Sequence, residues 1–208
     1  MKKYLKSLRS NIRINKNLFV FLLVIVLVGI ASGAIFSSIL NENDSKMVSD
    51  YLNNFINNVG KSKIDFSIVI STSVSTMGLG LLIWIFGISI VGVILIIPIM
   101  FIKSFILGFS MGSIIVNFKL KGVLLSLLYI VPHQIINILI YILISAYGII
   151  ISTNLFRSMK NKKVFDFKKI MNRYTYILVF SLIFLFITSV YEVYFLPKVM
   201  KLLINIIK

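Results

Sequence analysis

The chain has no cysteine, a single histidine, three prolines and six acidic residues. Without a thiol there can be no disulfide, no thiolate nucleophile and no cysteine-based metal site, and one histidine cannot build a multi-histidine centre within one chain. The sequence also lacks an HExxH zinc helix and a Walker A loop. Enzyme is therefore not the expected class, and no catalytic residue, cofactor or metal is assigned.

What the chain has instead is apolar length. Of 208 residues, 59% are hydrophobic and only 13% are charged, and the mean hydropathy is +1.01. Ordinary soluble domains hold about 45–50% apolar residues, so this composition exceeds what a water-soluble core hides. The charges cluster between apolar runs of about 20 residues, the length that carries a helix across a ~30 Å hydrocarbon layer. The formal charge of +16 fits anionic lipid rather than nucleic acid, because the cations sit at the ends of apolar runs and not along an amphipathic soluble face.

These runs predict an all-α, polytopic membrane helix bundle forming one integral membrane domain over residues 1–208. Five transmembrane helices are expected at about 18–40, 67–87, 92–116, 122–145 and 176–196. The first run is too long for a cleavable signal's apolar region of about 7–15 residues and reads as a retained signal anchor. Six cations precede it (Lys2, Lys3, Lys6, Arg9, Arg13, Lys16), and seven more lie in the 157–175 loop (Arg157, Lys160, Lys162, Lys163, Lys168, Lys169, Arg173). The positive-inside rule puts both segments in the cytoplasm. An even number of crossings must then separate them, which gives four spans before the loop, a fifth after it, a cytoplasmic N-terminus and an outer C-terminus. Lys119, Lys121, Lys198, Lys201 and Lys208 fall on the outer side in this arrangement.

The outer loop, 41–66, carries four of the six acidic residues: Glu42, Asp44, Asp50 and Asp65. Within it Val48, Leu52, Phe55, Ile56 and Val59 recur at helical spacing behind the capping candidates Asp44 and Ser45, predicting a short amphipathic helix that lies on the membrane or on a partner. The outer tail, 197–208, also alternates cations with apolar residues and reads as interfacial.

Two stripes of small residues are spaced by four: Gly29, Gly33 and Ser37 in the first span, and Ser104, Gly108 and Gly112 in the third. Lipid supplies no hydrophobic drive between helices, so close contact through small residues is what joins them. Both stripes are predicted packing seams, within the bundle or between copies in a homo-oligomer. In the fourth span Tyr129, His133, Asn137, Tyr141 and Ser145 fall four apart and form one polar face, which should turn away from lipid. Pro132 removes a backbone donor beside His133 and should kink the helix. His133 reads either as a proton relay or as an interhelical hydrogen-bonding group, with Lys103 and Glu192 as the charged residues available to it; Lys103 can also snorkel.

Several segments resemble the stage II sporulation protein M family. They are the basic start with GxxxG in span one, Ser71-Thr72-Ser73-Val74-Ser75-Thr76-Met77-Gly78-Leu79-Gly80 at the start of span two, and Phe101-Ile102-Lys103-Ser104-Phe105-Ile106-Leu107-Gly108-Phe109-Ser110-Met111-Gly112 in span three. Val131-Pro132-His133-Gln134, followed by Gly148, is similar to the family's Pro-His or Pro-Gln element. Many relatives carry Glu where this chain has Asn137, so a carboxylate role does not transfer there. The resemblance implies a multi-pass component of the mother-cell septal and engulfing membrane. It would act as a scaffold holding two peptidoglycan-degrading partners, stage II sporulation proteins D and P, during engulfment of the forespore. The rival reading is a small transporter or the permease subunit of an exporter, motivated by the polar stripe, Lys103 and Glu192.

Overall fold

The computed structural model describes residues 16–59, 66–161 and 167–200. Outside them lie Lys2, Lys3, Lys6, Arg9 and Arg13 of the basic start, Asp65, Lys162 and Lys163, and residues 201–208 of the tail; the side chains of Ile56, Val59, Lys160 and Lys169 are likewise not described. Among the described residues every regular element is helical: α1 (Lys16–Ser38), α2 (Glu42–Val59), α3 (Phe66–Ile88), α4 (Gly92–Leu125), a π-turn (Ser126–Ile130), α5 (Val131–Asn161) and α6 (Phe167–Tyr194).

Four helical stretches are long and apolar enough to cross a membrane: Lys16–Ser38, Phe66–Ile88, Gly92–Met159 and Ile170–Met200. Only 22% to 39% of the residues in their apolar windows are buried within the bundle. The outward faces carry Val20, Leu27, Ile94 and Ile183, each more than half exposed, a surface that needs hydrocarbon as its solvent. The third stretch counts 68 residues, which at ~1.5 Å per residue would be roughly 100 Å, about three bilayer cores. It is folded in two. Lys119, at φ 51° and ψ −129°, leaves the helical region inside α4, and the chain doubles back so that a Cβ on Gly122 would meet the Ile115 backbone at 2.9 Å.

Contacts along the helices fix their directions. α1 runs beside α4 in parallel, since Gly29 meets Phe101 and Ser104 while Gly112 meets Ala34 and Ser37. The chain after Lys119 runs opposite to α4, and α6 runs opposite to that, with Tyr174 at Gly148 and Thr188 at Asn137. α3 opposes α6, with Gly87 at Tyr174 and Gly80 at Leu185. One end of the bundle thus collects α2, the Lys119 reversal and the C-terminal end of α6; the other collects the α3–α4 turn and the start of α6.

The two small-residue stripes face each other. A Cβ on Gly29 would come within 2.8 Å of Ser104 Cβ and 2.9 Å of the Phe101 carbonyl, one on Gly33 would enter the Phe105 backbone, and one on Gly108 would enter the Ile30 backbone. Ser37 and Ser104 turn their hydroxyls back onto Ala34 O at 2.7 Å and Met100 O at 2.8 Å, which frees the seam of unpaired donors. Phe36 closes its edge against Phe105 and Phe109, at centroid distances of 5.7 and 6.1 Å.

Element boundaries differ from expectation in three places. α2 begins at Glu42 and Ser45 N–H bonds the Asn41 carbonyl at 2.9 Å, so Asn41 takes the capping position and Asp44 and Ser45 fall in the first turn, where Asp44 favours the positive end of the helix dipole. α5 continues to Asn161 and α6 starts at Phe167, because a helix that leaves the bilayer has no reason to stop at its surface. The irregularity near Pro132 takes the form of the π-turn at Ser126–Ile130, immediately before it; a widened turn there gives the proline ring room against the preceding carbonyls.

The seam makes a quantitative prediction. Gly108→Leu should cost about 1–3 kcal/mol by overpacking against backbone that cannot yield, whereas Gly78→Ala, with nothing within 4 Å of the added Cβ, should leave stability within about 1 kcal/mol of the parent. Unfolding of the purified protein in mixed micelles measures both.

Candidate functional site

Where α2 folds against the bundle it roofs a half-open cavity of about 590 Å³. The roof is made by Val48, Leu52 and Phe55, the apolar face of α2; Phe55 meets Tyr129 edge-on with ring centroids 6.0 Å apart. α4 supplies one wall through Lys103, Ile106, Phe109 and Ser113, and α5 supplies another through His133 and Gln134. Glu192 of α6 and Met200, just beyond α6, complete it. Met47 and Tyr51 lie at the rim and are 71% and 70% exposed, so part of α2 remains uncovered.

The polar stripe is turned inward by the way α5 packs. His133, Asn137, Tyr141 and Ser145 are all buried, and Tyr129, inside the π-turn, is half-buried. They do different things. Tyr141 donates to the Thr76 carbonyl of α3 at 2.9 Å. Asn137 Oδ1 accepts from Thr188 of α6 at 2.6 Å. These two bonds tie α5 to its neighbours, and Ser152 adds a third, donating to the Ile90 carbonyl at 3.0 Å. Ser145 Oγ has no hydrogen-bond partner among the described residues.

His133 belongs to the cavity. Its Nε2 lies 3.2 Å from Gln134 Nε2 and 3.9 Å from Glu192 Oε2. Its Nδ1 is buried without a hydrogen-bond partner among the described residues. Lys103 and Glu192 face the same space, near enough to act on each other electrostatically, but among the described residues Lys103 has no direct ion-pair partner. Among the described residues Ser113 Oγ and Gln134 Oε1 are buried without hydrogen-bond partners, a costly condition in apolar surroundings. The cavity therefore offers one cation, one carboxylate, an imidazole and unsatisfied polar atoms inside apolar walls, which is a binding arrangement.

Among the described residues no cluster of three or more His, Cys, Asp or Glu is placed to hold a metal ion. Of the outer-segment residues, Val48, Leu52 and Phe55 face the cavity; the small-residue stripes lie in the α1–α4 seam, away from it. Two contributors carried no sequence signal of their own: Ser113 and Met200 look ordinary among the serines and methionines of an apolar chain, while Gln134 stood out only as part of the Val131-Pro132-His133-Gln134 element. The sharpest packing contact outside the seam was also invisible in spacing. At the far end the Tyr174 ring enters a slot between Gly87 and Gly148 and stacks on Trp84 at 5.7 Å.

Fold and cavity together define a helical membrane bundle with a half-open cavity at one end. Residues 21–197 match the sequence model of a family described as stage II sporulation protein M. The chain belongs to that family and is a sporulation-related membrane protein. The comparisons found no match among curated proteins and none among solved structures.

The α5–α6 bond is open to direct measurement. A double-mutant cycle on Asn137→Leu and Thr188→Val should return a coupling of about 0.6 kcal/mol and no more than about 1.7 kcal/mol, the range of side-chain hydrogen bonds inside membrane bundles. A coupling near zero in micelle unfolding would mean that the pair does not hold α5 to α6.

Proposed function

We propose that this protein is a non-enzymatic scaffold that recruits and holds peptidoglycan-degrading partners at the sporulation septum while the mother-cell membrane engulfs the forespore. The partners are stage II sporulation proteins D and P, as the family resemblance implies, and the location is the septal and engulfing membrane of the mother cell. The observation that carries the reading is α2, an acidic-start amphipathic helix that packs Leu52 and Phe55 onto the bundle while leaving Met47 and Tyr51 exposed beside it. Exposed large apolar side chains outside the membrane core are the kind of surface a partner covers.

The orientation is part of the proposal. The alternating directions of α1, α3, the two limbs joined at Lys119, and α6 support five crossings. Among the described residues the cations Arg157, Lys168 and Arg173 lie at the end opposite to α2, which supports a cytoplasmic N-terminus with α2 and the C-terminus outside. The outer side is where wall hydrolases work, so a holding surface is useful there. The rival reading, a small transporter or exporter permease, takes its support from the charged cavity; flux in proteoliposomes carrying the His133 and Lys103 variants separates the two.

Two experiments test this reading. With cysteine absent from the chain, single cysteines at Met47 and Met159, 71% and 69% exposed, should differ in intact cells: a membrane-impermeant thiol reagent labels Met47→Cys and spares Met159→Cys. In sporulating cells a crosslinker on Tyr51→Cys should capture a wall hydrolase. Capture of neither hydrolase, with engulfment intact in the deletion strain, rejects the scaffold.

A further inference from the structure

The cavity under α2 has features that partner recruitment does not use. Lys103 and Glu192 place one positive and one negative charge on the same space, yet they do not neutralise each other by direct contact. Ser113, 4% exposed, contributes to that lining a hydroxyl unpaired among the described residues, and Gln134 adds a carbonyl oxygen likewise unpaired among them, beside Glu192's neighbour His133. Leaving such groups unsatisfied beside hydrocarbon is unfavourable, and an occupant that pairs with them removes the cost.

The charges narrow the occupant. A ligand bearing only a negative charge would satisfy Lys103 and be repelled by Glu192, and one bearing only a positive charge would meet the reverse. A ligand with both, held a few bonds apart, satisfies both. The remaining walls are apolar: Leu52, Phe55, Ile106 and Phe109. Ile106 is 53% exposed on the outward face of α4, so the cavity opens sideways to where acyl chains lie. Lys103 sits about two and a half turns below Gly112, the level at which α1 ends, so a headgroup descends into the cavity to meet its ammonium.

We propose that this cavity binds one aminophospholipid of the phosphatidylethanolamine type, with the phosphate on Lys103, the primary ammonium on Glu192 and Gln134, and an acyl chain leaving past Ile106. The bound lipid fills the space between α2 and the bundle and sets the position of α2 at the membrane surface. This site is independent of the scaffold reading, since its ligand is a membrane component and not a protein.

The test uses the purified full-length chain in detergent, analysed by native mass spectrometry and by thermal unfolding with added lipid. Phosphatidylethanolamine should be retained roughly tenfold better than phosphatidylglycerol, which lacks the ammonium, and than phosphatidylcholine, whose methylated ammonium cannot donate hydrogen bonds to Glu192. It should also raise the unfolding temperature by several degrees over either. Glu192→Gln should abolish the preference for phosphatidylethanolamine over phosphatidylglycerol, and Lys103→Gln should weaken retention of all three, with helical circular dichroism unchanged. If either variant fails to fold, the ranking of the three lipids on the parent chain decides the matter alone. Equal retention of the three lipids overturns the proposal, as does a ranking that both folded variants preserve. Equal competition by soluble glycerophosphoethanolamine overturns the lipid as its source.

Discussion

Backbone contact between α1 and α4 is the constraint on which the rest of the bundle depends. In water two apolar helices are driven together by removing their surfaces from solvent; in lipid the tails are as apolar as the side chains, and only contact closer than lipid can achieve distinguishes the associated state. Gly29, Gly33, Gly108 and Gly112 provide that contact, since each lies where an added Cβ would strike the opposite helix. Because α1 and α4 run in parallel, their far ends are fixed together, and the segment leaving α1 emerges beside the upper part of α4. That geometry delivers α2 to the wall containing Ile106, Phe109 and Ser113. A second close contact, Tyr174 between Gly87 and Gly148, fixes the opposite end. Held at both ends, the bundle does not close the space between α4, α5 and α6 beneath α2.

Polar groups divide the work along α5 according to what they face. Asn137, Tyr141 and Ser152 find partners on α6, α3 and the α3–α4 turn, so each bond joins two elements and consumes the polarity that placed it there. His133 and Gln134 bond chiefly to each other, and the Ser113 hydroxyl has no partner among the described residues. His133 and Gln134 belong to the first turn of α5, where the helix borders the cavity.

Much of this was legible in the sequence because the relevant signal was local. Spacing by four marks a face whatever lies opposite, and small residues at that spacing encode close approach directly; hence both stripes could be read, although not that they face each other. Lys103 and Glu192 stood out because charge within an apolar run is expensive. The reversal at Lys119 coincided with a short polar interval between two apolar runs. What could not be read arises from contacts distant in sequence. Whether α2 lies on the lipid or on the bundle depends on the reach from Ser38 and on the surface it meets. Gly87, Gly148 and Tyr174 occupy three separate helices and share no period. Ser113 is one serine among many until α2 and α5 enclose it.

The same packing bears on whether the cavity is a passage or a pocket. Beneath His133 and Asn137, Ile83, Ile96, Met100, Tyr141, Ile144 and Leu185 are buried to within 1% of complete. Beyond them the Tyr174 slot joins three helices at the far end. A solute moving through would have to separate this interdigitated layer and then the glycine contacts, both of which depend on distances that tolerate little expansion. Binding at the α2 end requires neither. An occupant entering sideways past Ile106 needs only the displacement of an exposed side chain and of α2, none of whose described residues is fully buried. The distribution of tight and loose packing therefore favours a pocket whose occupant adjusts α2, and through α2 the exposed side chains of Met47 and Tyr51, over a route across the membrane.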